Sequence, residues 1–183
     1  MTISRFYRRA LDRLYDTSGA LAAACLAAIC VVMLAQALGR ELGVFVRGAD
    51  DVTAWLTAAS AFFALGHTFR HGELVRVGLC INRLDGSARR RAEVTALTVS
   101  VVVVAYIFWA AATFVYDSWK LGEVAQGLIR IPIWIPQSSF VLGTLVFLIA
   151  VLDELVTVIR GHRPCYQVAE ENRRARADFS ESV

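Results

Sequence analysis

The chain has 183 residues, 57% of them hydrophobic and 19% charged, with a mean hydropathy of +0.53 and a formal net charge of +3. A soluble domain carries about a quarter charged residues, so this composition excludes one and indicates an all-α polytopic membrane protein. The small basic excess lies beside apolar runs and forms no groove with interleaved aromatics, so it suits membrane lipid headgroups and excludes nucleic acid as a partner.

Residues 1–16 form a basic arm with Arg5, Arg8, Arg9 and Arg13. The first predicted span covers about 17–38, with Gln36 polar near its far end. At ~1.5 Å per residue such a run crosses a hydrocarbon core of roughly 30 Å. Leu21 to Cys25 bears a faint likeness to a lipoprotein cleavage site, but the apolar run continues past Cys25 and the best-placed leucine is one position too early. An uncleaved span is therefore expected. Beyond it, Arg40 and Glu41 face Asp50 and Asp51 across a short loop, and an Arg40–Asp51 contact would fasten the ends of the first two helices.

The second span covers about 51–69, with Asp50 and Asp51 as capping candidates and Trp55 at interfacial depth. Ala54, Ala58, Ala61 and Gly66 permit close helix contact or are generic membrane packing. His67 and His71 share a helix face at metal-pair spacing, but no third ligand is at hand, and headgroup-facing histidines are expected. The stretch from His71 to Glu93 mixes apolar residues with Arg76 and Arg83, is too charged to span, and is predicted to hold a short interfacial helix. Asp85, Gly86 and Ser87 read as a turn.

The third span covers about 94–116 and includes the β-branched run Val101 to Val104, which lipid forces into a helix. Loop 3 follows to Gln137, with Pro132, Trp134 and Pro136. The fourth span covers about 138–159, and the polar tail 161–183 is expected to be a short helix or disordered. Asp153 and Glu154 lie late in this span. They are expected to reach water, or to pair with Arg160 or an arginine of another chain, as an anchor or subunit contact; the alternative is a charge relay in a stand-alone four-helix channel or exporter.

All Lys and Arg except Arg40, Arg47, Lys120 and Arg130 fall in the arm, the middle loop and the tail. Positive residues near spans stay on the cytoplasmic side, so both termini and the middle loop are expected inside and loops 1 and 3 outside. Cys25 and Cys30 then lie in the first span, and Cys80 and Cys165 inside, all as free thiols. The absence of CxxC argues against a thiol oxidase. No nucleophile with its base, phosphate-cradling loop or intramembrane haem histidine pair occurs, so neither enzyme activity nor a cofactor is expected. No internal repeat is evident, which argues against an inverted-repeat transporter built from this chain alone.

Asp50-Asp51-Val52-Thr53-Ala54-Trp55, then Arg70-His71-Gly72-Glu73-Leu74-Val75-Arg76-Val77, then Ile131-Pro132-Ile133-Trp134-Ile135-Pro136-Gln137 follow one another on a four-span chain. In this order they resemble the small membrane subunit of tripartite ATP-independent periplasmic (TRAP) transporters, over roughly Thr17 to Gly161. Leu74 departs from the pattern where many relatives carry His, and Asp51 stands where Glu is commoner. The resemblance implies a non-catalytic subunit in the bacterial inner membrane, paired with a large membrane subunit on a separate chain that holds the substrate and sodium sites. A periplasmic substrate-binding protein would deliver an organic acid, such as a C4-dicarboxylate, to the pair. The candidate structural or interface residues are Arg40, Asp50, Asp51, Trp55, Glu73, Arg76, Trp134, Asp153 and Glu154.

Overall fold

Apolar runs of this length in lipid must satisfy their own backbone, which leaves helix as the spanning form for a chain without a closed barrel. The computed structural model describes residues 2–44, 47–70 and 86–161, with side chains from residue 8 in the first helix and from residue 90 in the third. It contains α1 (Thr2–Glu41), α2 (Ala49–Arg70), α3 (Gly86–Lys120) and α4 (Trp134–Ile159). All four are long and apolar enough to cross a membrane. The β-branched run of α3 is helical throughout. Its hydroxyls return to carbonyls one turn back, as in Thr98 to Val94 O at 2.7 Å and Ser100 to Ala96 O at 2.9 Å, which hides them from an apolar surrounding.

The helices run further than the apolar segments alone. α1 begins at Thr2, so the basic arm continues the same helix as the first span. Leu11, Tyr15, Ser18 and Ala22 explain this, because they recur at spacings of four and three and are all buried, carrying one packed face from the arm into the span. α3 begins at Gly86, ahead of Val94, and α4 begins at Trp134, with Pro136 in its first turn, where no intrahelical N–H bond is lost. Of the stretch 71–93, on which the interfacial helix is expected, residues 71–85 lie outside the described residues, as does the tail 162–183, while 86–93 are part of α3, so Gly86 and Ser87 open that helix where a turn is expected.

The helices stand in a row, in the order α1, α2, α4, α3. α2 packs against both α1 and α4, α4 takes α3 on its other flank, and the outer helices α1 and α3 do not close the row into a ring. The end of the row carrying the start of α1 and the close of α4 is the termini end, and the opposite end, with residues 42–44, 47–48 and 121–133, is the loop end. A core at the termini end draws on all four helices through Leu11, Tyr15, Phe69, Leu97, Ala150, Val151 and Val158. Phe69 meets Phe147 edge-on, with ring centroids 5.5 Å apart.

Between α2 and α4 the backbones approach closely at glycine. A Cβ on Gly143 would stand 2.6 Å from the backbone carbon of Phe62, and one on Gly66 would stand 2.7 Å from Val146 Cγ1. The other half of α1, from Ala23 to Leu38, buries no residue, and Leu26, Val31, Leu34 and Leu38 stand exposed along it.

Candidate functional site

The polar side chains that join the helices gather at the two ends of the row. At the termini end, Arg70 closes α2 and its guanidinium divides between two helices. Nη1 donates to Asp153 Oδ2 of α4 at 3.3 Å, and Nη2 donates to Asp12 Oδ1 of α1. The same guanidinium lies over the ring of Tyr15, 5.0 Å from its centroid, adding a cation–π contact. Asp12 is half exposed and Asp153 is mostly covered, so water screens the first pair more than the second.

Two further contacts on the same face tie α1 to α2. Ser18 donates to the Phe63 carbonyl at 2.5 Å, and His67 Nδ1 lies 3.3 Å from the Tyr15 carbonyl, placed for a ring N–H to donate. Gly19 leaves the room that the His67 ring occupies. On the other flank, Arg90 of α3 donates to the Ile159 carbonyl at 3.0 Å, putting a cation and a donor on the free C-terminal carbonyls of α4.

At the loop end, Gln36 Nε2 of α1 donates to Asp50 Oδ1 of α2 at 3.0 Å, and Asp51 Oδ2 accepts the Leu128 N–H at 2.8 Å. Gly127 lies so close to the Asp51 carboxylate that a side chain there would collide with it. The loop is held in turn by Ala125 N–H to Ile131 O at 2.9 Å and Ile133 N–H to Glu123 O at 3.0 Å, around a single bridge between Val124 and Pro132. Gly48, with φ of 77°, turns the chain into α2 beneath Ile129 in a conformation that other L-residues rarely adopt.

Near this end Trp55, Ala58, Ile133, Pro136, Gln137 and Phe140 line a cleft of about 190 Å³. Among the described residues, buried Gln137 has no partner for its Oε1. The cleft falls below the roughly 300–1,000 Å³ of ordinary ligand pockets.

Several sequence expectations meet different partners here. Arg40 is exposed and does not reach Asp51; Gln36, Asp50 and the loop backbone make the fastening instead. Asp153 pairs with Arg70, not with Arg160, whose backbone N–H turns back to Val156 O. Glu154 is buried, at 5% exposed. Trp55 meets the Ile133–Pro136 segment across the cleft, while Trp134 stands at the start of α4, partly exposed. Cys25 and Cys30 are free. Glu73, Arg76 and His71 lie outside the described residues.

Asp12, Tyr15, Gln36 and Arg70 as the joining side chains are absent from the sequence expectations. A signal for the first two existed in the spacing of Leu11, Tyr15, Ser18 and Ala22, which gives the arm a buried face, and in an acid set among the arginines of that arm. For Arg70 there was only its position at the end of the second span.

Residues 29–161 match the family model described as tripartite ATP-independent periplasmic transporters, DctQ component. The match covers well over half of the chain and takes in Gln36, Asp50, Asp51, Arg70 and Asp153; Asp12 and Tyr15 precede it. A search of curated proteins finds no match.

Proposed function

The chain belongs to the DctQ component family of tripartite ATP-independent periplasmic transporters, whose small permease subunit it is, and we propose that it braces the larger membrane subunit and takes no part in binding the transported solute. The carrying observation is where the joining side chains sit. Arg70 ties three helices at one end and Asp51 fastens the long loop at the other, an arrangement suited to holding helices at fixed separations. The cleft near the loop end has no cation in its lining to receive a carboxylate, and Asp153 is held in a cross-helix pair.

In this reading the large subunit holds the solute and sodium sites and moves, while the row of four helices extends its immobile part. Both termini lie in the cytoplasm, in line with the positive-inside distribution of arginine, and the membrane is the bacterial inner membrane. The loop end then faces the periplasm, where Arg47, Lys120, Glu123 and Arg130 offer a surface of mixed charge to the binding protein. An organic acid is the proposed solute class.

Coexpression with the large subunit tests the role. The two chains are expected to copurify in mild detergent, and uptake of the solute is expected to collapse when this chain is deleted. Separate elution together with undiminished uptake would end the bracing proposal.

A further inference from the structure

Helix α3 has two opposite faces with the same rhythm. One, through Leu97, Val104 and Ser118, is buried where α3 meets α4. The other runs through Val99, Val102, Tyr106, Trp109, Thr113 and Tyr116, alternating steps of three and four, and every member is exposed. That alternation is the a/d rhythm by which one helix receives another.

The chemistry at the middle of this second face separates it from a surface made for lipid. The uncharged stretch of α3 runs from Val94 to Tyr116, so Tyr106 lies next to its midpoint and Trp109 within one turn. Tyr106 is 66% exposed and Trp109 63%, and their rings form a tilted pair with centroids 6.3 Å apart. Helical side chains lean toward the helix N-terminus, which draws the indole N–H toward the middle of the span. No described residue accepts a hydrogen bond from either polar tip. In hydrocarbon an unmade hydrogen bond of this kind is costly, and lipid-facing Trp and Tyr belong at the interfaces, as Tyr116 and Trp119 are placed. The exposed half of α1, with Leu26, Val31, Met33, Leu34 and Leu38, is aliphatic and suits lipid.

We propose that the Val99–Tyr116 face of α3 is the docking seam for a transmembrane helix of the larger membrane subunit, a proposal that rests on the bracing role above. The occupant is a helix with small residues opposite the two rings and a hydroxyl or free carbonyl within reach of the Tyr106 hydroxyl and the Trp109 N–H. A second copy of this chain fits poorly. A twofold axis along the membrane normal would set Tyr106 against Tyr106 and Trp109 against Trp109, holding the helix axes apart where close approach needs small residues.

The test uses the complete transporter, with a photoreactive residue placed at Tyr106 or, as control, at Leu26 of α1. The expected result is that the wild-type chain copurifies with the large subunit, and that irradiation joins the two from position 106 but not from position 26. Tyr106→Ala/Trp109→Ala should lower the copurified large subunit by about tenfold. Leu26→Ala/Leu34→Ala should leave it unchanged, with helical content retained in both variants. Copurification with crosslinks from position 26 alone, or adducts at 106 that hold only lipid or a second copy of this chain, overturns the seam and leaves bracing intact. Failure of the wild-type chains to copurify, together with uptake undiminished by deletion of this chain, overturns both.

Discussion

At Arg70 one guanidinium serves carboxylates from two different helices while its flat face covers the Tyr15 ring. A planar fork with several donors can be shared in this way, whereas a lysine ammonium is a single point charge. Removing the arginine strands Asp153 in a mostly covered position, so Arg70→Leu is expected to cost about 2 kcal/mol. Arg70→Lys should recover part of that. Asp12→Asn should cost under about 1 kcal/mol, because Asp12 is half exposed. Thermal unfolding of the purified chain in detergent checks the ranking, and an Asp12→Asn variant as weak as Arg70→Leu would contradict it. The Asp153–Arg70 pair was hidden in the sequence for a plain reason. Arg160 stands about two turns away, at the close of the same helix, whereas Arg70 is 83 positions distant and becomes a neighbour only when α2 and α4 lie side by side.

The four helices themselves were legible, because uncharged apolar runs of this length leave lipid-embedded backbone no other form. Their ends were less so. The sequence marks where apolar character stops, but α1 and α3 continue into charged residues, since a helix ends where its hydrogen bonding and packing end. The order of the row was not legible either. A helix that is apolar around its whole circumference does not declare which side meets protein and which meets lipid, and the decisive features are small ones such as Gly143. There a methyl group meets the backbone of Phe62, which cannot move without shifting α2. Gly143→Ala is therefore expected to destabilise the α2–α4 contact by about 1–3 kcal/mol. Gly66→Ala meets Val146 Cγ1, whose β-branched side chain yields only at a cost, but it keeps 3.5 Å from the Val146 backbone and should cost somewhat less. Denaturant titration of helical content in detergent distinguishes them, and equal costs would show that the interface yields as a whole.

For the molecule as a whole, the proposed orientation puts the termini end in the cytoplasm and the loop end outside. With Cys25, Cys30, Cys80 and Cys165 replaced by alanine, Glu123→Cys should react with a membrane-impermeant maleimide added to intact spheroplasts. Arg9→Cys should react only after lysis, and the opposite pattern would invert the topology. The row also bears on what kind of motion the chain can take part in. From Asp50 to Arg70, α2 is about 30 Å long, and it is held by side chains at both extremities, through Gln36 and Leu128 at one and Asp12 and Asp153 at the other. A rod gripped at both ends by partners on different sides has lost two freedoms together. It cannot slide along its axis, because contacts at both ends would break, and it cannot spin about that axis, because each end is tied to a different neighbour. What remains is tilting in concert with the rest of the row, so in the proposed bracing role a load from the large subunit would be met by the row as a single plate.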